Sequence, residues 1–273
     1  MSLNNKVRNM ILKFCANLNF LFAENNAPYL ERLYMAKQAG FRGIEISYPD
    51  KISLDDLIKT KNETNLELVL MNIKLGSEPD TAFGSTSLPN LENTFQQHFL
   101  DTIALAKKLN CHKIHLMSGK VKNESREKHL KTYIKNLKFA VEHLEKEKIL
   151  GLIEPINGYA VPDYFLNNYK TAVDVIKEID SPYLKLMVDL YHLQHIQGDV
   201  TNSIKELMPI IGHFQIAQVP NRNEPNAFGE LNYEYIFDII KNSGYRGWIG
   251  CEYKPKDGTS HGLNWITQYG FKL

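Results

Sequence analysis

Short apolar runs rich in β-branched residues alternate along this chain with longer segments patterned for helices. Eight runs read as strands: residues 10–17, 42–47, 66–72, 112–118, 149–156, 183–190, 210–217 and 247–253. They recur about every 34 residues, a period that fits repeated β–α units and a parallel sheet. The intervening segments carry helix signals of their own. Pro28 opens one, with apolar positions at Leu30, Leu33, Tyr34 and Ala36, and Ala39-Gly40 closes it. Residues 125–146 place Leu130, Tyr133, Ile134, Leu137, Ala140, Val141 and Leu144 on one helical stripe. The most irregular stretches, 73–90 and 218–231, follow the third and seventh strands. No linker divides the chain. Eight β–α units without a break predict an α/β fold, a (β/α)8 TIM barrel, as a single domain over residues 1–273.

Successive side chains of a strand point to opposite faces. Ile44 and Ile46 flank Glu45, Ile114 and Leu116 flank His115, and Ile153 precedes Glu154. Leu184, Leu186 and Val188 alternate against Asp189, Phe214 and Ile216 flank Gln215, and Cys251 and Tyr253 bracket Glu252. The first and third strands end on Asn17 and Asn72. Each strand thus has an apolar face suited to packing under helices and a polar residue on the other face near its C-terminal end. In a closed barrel that second face points inward, and barrel active sites lie at the C-terminal end. One polar residue in a strand is ordinarily an edge or solvent-facing residue; eight in matching phase describe a site.

Four members of this ring are carboxylates: Glu45, Glu154, Asp189 and Glu252. Like charges gathered in a low-dielectric mouth need a cation or raised pKa values. Three carboxylates with the amide oxygen of Gln215 make an oxygen-donor set that suits Mg²⁺, with Mn²⁺ as the alternative, rather than a thiolate-bound structural zinc. No GxGxxG or GxxxxGK[ST] occurs, so no organic cofactor is expected. Arg222 and Glu224 lie in the second irregular stretch, where the guanidinium is suited to pair with a substrate carboxylate.

Composition narrows the partners. Lys and Arg number 32 against 31 Asp and Glu, a formal net charge of +1, which supplies no basic footprint for nucleic acid. With 43% hydrophobic and 23% charged residues among 273, the chain can bury a sizeable core. No apolar run approaches the ~20 residues of a membrane span. Cys15, Cys111 and Cys251 form no CxxC and read as reduced, buried thiols of a cytoplasmic protein; a homo-oligomer is left open.

The segments ANLNFLF (16–22), LIEPIN (152–157), VDLYHLQ (188–194), IGHFQIAQVP (211–220), GELNY (229–233) and GYRGWIGCEY (244–253), taken in order, resemble the hydroxypyruvate isomerase family of xylose isomerase-like metal-dependent barrels. The resemblance runs through residues 11–265. It implies a divalent metal held by Glu154, Asp189, Gln215 and Glu252. It also implies that His192, in DLYH, helps hold the substrate near that metal. Sugar isomerases and epimerases of the superfamily usually carry His where Gln215 stands. The chain departs from the family pattern in two places. The loop after the third strand reads FGSTSLPN instead of a GERG-like segment, and NRNEP replaces GRHEP after the seventh; both departures fall on the substrate side.

The implied reaction is an aldose–ketose type isomerisation, hydroxypyruvate to 2-hydroxy-3-oxopropanoate, with Glu154 and Glu252 moving the proton next to the carbonyl. His115, Glu45, Asn72, His192, Arg222 and Glu224 are the expected substrate-side residues, Glu45 as an orienter of Arg222 or His192. The partner is a small hydroxy-keto acid or sugar. A 2-oxo-tetronate isomerase or ketose 3-epimerase would use the same ligands. An apurinic-site endonuclease would need more His ligands and a basic surface. A catalytically inactive binding barrel is the remaining alternative.

Overall fold

The computed structural model describes residues 12–79, 81–122 and 124–273. Eight strands lie among them: β1 (Lys13–Asn17), β2 (Gly43–Ile46), β3 (Glu67–Asn72), β4 (Lys113–His115), β5 (Leu150–Ile153), β6 (Leu184–Asp189), β7 (Ile211–Ile216) and β8 (Trp248–Cys251). Each falls within its predicted run; Met10 and Ile11 of the first run lie outside the described residues. The strands follow one another in chain order around a closed parallel barrel, the (β/α)8 TIM architecture. The helices are α1 (Tyr29–Gln38), α2 (Leu54–Thr64), α3 (Glu92–Leu109), α4 (Arg126–Glu147), α5 (Tyr169–Ile179), α6 (Leu190–Ile196), α7 (Val200–Leu207), α8 (Tyr233–Asn242), α9 (Thr259–Gly262) and α10 (Asn264–Gln268). No helix among the described residues is long and apolar enough to cross a membrane.

Two compact units make up the chain: Met1–Glu45 with Asp55–Glu67 and Asp189–Leu273, and Ile46–Leu54 with Leu68–Val188. In the first, β1 pairs with β2 and β8, and β7 with β8. The register aligns Cys15 and Gln215 with Gly250 in one row, and Asn17 with Glu45 in another. Residues in one row of a parallel sheet share a face, so these five share one side. The opposite face, with Phe14 and Ile249 in register, is covered by aromatic residues. Phe14 meets Trp265 edge-on at 5.0 Å and Phe237 at 5.4 Å, and Phe237 stacks on Trp265. Phe14, Phe237, Trp265 and Ile249 are all buried. Their burial fixes which face of each strand turns away from the helices.

In the second unit β3, β4, β5 and β6 pair in order, with Asn72 opposite His115. Ser125 caps α4 by accepting from the Lys128 N–H, and the buried stripe of that helix includes Tyr133, Leu137, Ala140 and Leu144, as its periodicity predicts. The FGSTSLPN segment, expected to be irregular, is firmly held. The Gly119 N–H donates to the Phe83 carbonyl, the Ser87 N–H to the Ser118 carbonyl, and Asn136 Nδ2 to the Thr86 carbonyl at 2.9 Å. Gly84 makes this approach feasible: its φ is +101°, and a Cβ there would sit 2.1 Å from the Met117 carbonyl oxygen. Small hydroxyl side chains, with Ser85, Thr86 and Ser87 all buried, fit this close contact where long charged ones would not.

Candidate active site

Glu45, in the middle of β2, is fully buried, and four donors converge on its carboxylate. Asn17 Nδ2 and Gln215 Nε2 donate to Oε2 at 3.0 and 2.8 Å. Cys15 Sγ lies 3.3 Å and His213 Nε2 2.5 Å from Oε1. Burial alone would raise its pKa, but His213 and the hydrogen bonds from Gln215 and Cys15 outweigh it and hold the group below the usual carboxylate range. The amide of Gln215 is thereby oriented. Its Nε2 faces Glu45, and its buried Oε1 has no hydrogen-bond partner among the described residues.

Asp189 ends β6 and caps α6: its Oδ1 accepts from the Tyr191 N–H at 2.9 Å. Its Oδ2 lies 3.1 Å from Arg222 Nη2 and 3.6 Å from His192 Nε2. Glu252 is the first residue beyond β8, and its Oε2 lies 3.2 Å from the same Nη2. One guanidinium thus bridges two carboxylates, while its Nε donates to the Glu252 carbonyl. Its carbon lies 4.8 Å from the ring centres of both Phe20 and Tyr191. Arg222 adopts a left-handed backbone, φ 57°, held by its N–H to Gln218 and its carbonyl from Lys254. Such a conformation is costly for a residue with a Cβ, and its surroundings enforce it. Burial raises both carboxyl pKa values, Asp189 to about 6 and Glu252 to about 8, against the opposing pull of Arg222. The Glu45 charge adds to both shifts.

In the second unit, Glu154 directly follows β5 and is buried. Its Oε2 lies 3.6 Å from Nε2 of His115, the last residue of β4. Asn72, at the end of β3, shares a row with His115.

The structure therefore groups Asp189, His192, Arg222 and Glu252, groups Glu45 with Gln215, and groups Glu154 with His115. Two of the expected substrate-side residues have protein partners in the structure. The Glu45 carboxylate, expected to orient Arg222 or His192, holds four donors from Cys15, Asn17, His213 and Gln215. Glu224 is buried and accepts from the Lys256 N–H at 2.9 Å, so it fixes the loop after β8. Gly262 packs closely against it: a Cβ there would lie 2.2 Å from Glu224 Oε1. Phe20 and Tyr191 were missed as the walls around Arg222. Both sit inside motifs quoted above, where an aromatic residue reads equally well as core.

The donor set fits a hard divalent cation. An amide oxygen lies buried without a hydrogen-bond partner among the described residues, and burial raises the pKa of two carboxylates that share one arginine.

Comparison with known proteins identifies the family. The family model described as "Xylose isomerase-like TIM barrel" matches residues 33–269. Hydroxypyruvate isomerase of Escherichia coli (strain K12) is 38% identical over 260 residues, covering 95% of this chain and 100% of that protein. The 2-oxo-tetronate isomerase of Cupriavidus necator is 36% identical, covering 94% and 98%. A crystal structure from Brucella melitensis, titled AP endonuclease, family 2, superposes with a TM-score of 0.90 at 36% identity, covering 95% of this chain and 99% of that one. The chain belongs to the hydroxypyruvate isomerase family of xylose isomerase-like TIM barrels, and it is an isomerase.

Proposed function

We propose that this isomerase interconverts hydroxypyruvate and 2-hydroxy-3-oxopropanoate, with Glu154, Asp189, Gln215 and Glu252 holding a divalent metal, Mg²⁺ or alternatively Mn²⁺. The observation that carries the reading is the buried Oε1 of Gln215, without a hydrogen-bond partner among the described residues, in a unit that also buries Asp189 and holds Glu252 at a raised pKa. When bound, the cation supplies Lewis acidity toward the substrate's carbonyl and hydroxyl oxygens. The chain supplies the proton transfers. One of Glu154 and Glu252 takes a proton from the hydroxymethyl carbon, leaving an enediolate. The proton returns at the former carbonyl carbon, and the other glutamate moves a proton between the two oxygens. His115, 3.6 Å from Glu154, orients that carboxylate, and His192 and Asn72 face the substrate. The buried free thiols accord with a cytoplasmic protein.

Purified protein with Mg²⁺, incubated in D₂O with hydroxypyruvate, a 2-oxo-tetronate and free ketoses, tests the reading. Isomerisation of hydroxypyruvate with deuterium at the carbon α to the new carbonyl is expected. Turnover confined to 2-oxo-tetronates would favour the second reading, which the Cupriavidus necator relative supports. Turnover of ketoses alone would overturn both.

Arg222 is the residue proposed to read the substrate carboxylate. Its guanidinium is held between Phe20 and Tyr191 at the Asp189–Glu252 pair, and a cation on those carboxylates leaves its charge to the substrate. Arg222→Ala is expected to raise KM for hydroxypyruvate at least tenfold more than KM for a neutral ketose, since charged hydrogen bonds contribute about 1.5–3 kcal/mol. Equal changes in both KM values would remove that role.

A further inference from the structure

We propose that Glu45 is a positioning residue that locks the Gln215 amide with its oxygen toward the metal, an inference that rests on the metal-site reading above. A glutamine amide has two ends of nearly equal shape, one accepting and one donating, so a half-turn about its last torsion exchanges them. Only the oxygen end can ligate a cation. In β7 nothing about the strand itself selects that end; the selection comes from what faces the amide. Glu45 Oε2 faces it at 2.8 Å from Nε2, and an ionised carboxylate only accepts. The reversed amide would set oxygen against oxygen and bury two donors without an acceptor. The orientation seen is therefore the one that Glu45 permits.

Glu45 is itself held so that it cannot turn away. Asn17 shares Oε2 with Gln215, while Cys15 and His213 occupy Oε1. The neighbouring strand is built around it. Gly250 lies in the same row as Gln215, and a Cβ there would sit 2.1 Å from Glu45 Oε1. The glycine of the GCEY segment thus clears the space in which the lock sits. Ligands whose partners fix their orientation commonly lose 10–100-fold in metal affinity when those partners are removed.

The test is calorimetric titration of chelator-treated protein with Mn²⁺, in wild type, Glu45→Met, Gln215→Ala and the double variant, each checked for native secondary structure and melting. Glu45→Met keeps length and removes the acceptor. It is expected to weaken Mn²⁺ binding about 10–100-fold. Gln215→Ala is expected to weaken it similarly, and the double variant no further than Gln215→Ala alone. A merely structural Glu45 would give losses that multiply. Should Glu45→Met fail to fold, Glu45→Asp replaces it in the same cycle, withdrawing the acceptor by one methylene while keeping the charge. Multiplying losses, or wild-type affinity in the Glu45 variants, would overturn the lock. Wild-type protein that binds no Mn²⁺ would overturn the metal reading and the lock with it.

Discussion

Glu154→Gln and Glu252→Gln are each expected to lower kcat at least about 10²-fold while divalent metal still binds. Glutamine keeps the length of the side chain and one oxygen donor but cannot accept a proton. The loss therefore falls on proton transfer more than on metal affinity. The two sites have different surroundings. Glu252 carries a pKa raised by burial and shares Arg222 with Asp189. Glu154 stands beside His115, with the imidazole Nε2 3.6 Å away. Asp189→Asn is expected to behave differently. Asp189 has one oxygen on the Tyr191 amide and the other on Arg222, a ligand's arrangement rather than a proton carrier's. Its variant should lose metal affinity, and excess Mg²⁺ should restore much of its rate. The decisive measurement is exchange of the substrate's α-hydrogen with D₂O in metal-saturated enzyme. Wild-type exchange in both glutamine variants would move the base elsewhere, with His115 and His192 the next candidates.

Removing the metal is expected to abolish turnover and to lower the melting temperature, by an amount that depends on pH. A ligand present at 100 times its Kd stabilises a protein by about 2.7 kcal/mol. Burial raises Glu252 from an ordinary 4.5 to about 8 and Asp189 from 3.8 to about 6. Between those limits the folded, metal-free protein binds more protons than the unfolded chain. The contribution of these two groups to stability therefore falls as pH rises from about 4 to about 8. Metal binding needs both carboxylates ionised and so strengthens over the same window. The difference in melting temperature between Mg²⁺-saturated and EDTA-treated protein should grow from pH 5 to pH 8. In Glu252→Gln the decline of the metal-free protein over pH 5–8 should be shallower than in wild type, because one of the two shifted groups is gone. A metal effect independent of pH would show that these carboxylates do not hold it.

The local pattern carried the strands and most of the ring. Alternation with a period of two is a property of neighbouring residues, so Ile44–Glu45–Ile46 and Phe214–Gln215–Ile216 declare which side is polar before any contact is known. The positions of Glu154, Asp189 and Glu252 at or just past their strand ends follow from the same alternation. The helix at 126–147 was legible because its apolar stripe is a local feature; its Ser125 cap came from the structure. What the polar side chains do with their atoms was decided elsewhere. Arg222 reaches Asp189, 33 residues earlier in the chain, because the loop after β7 holds it at a left-handed φ and two aromatic rings wall it in. Glu224, two residues on, turns instead to a backbone N–H 32 positions away. Glu45 finds Cys15, Asn17, His213 and Gln215 only because strand register brings β1, β7 and β8 into matching rows, with a glycine at the crowded point. Sequence by itself determined which residues face inward, since that depends on the geometry of one strand. Only the tertiary structure decided which carboxylate faces an amide, which ones share the arginine and which one holds a loop, because a buried carboxylate takes its role from the donors that other strands and loops bring to it.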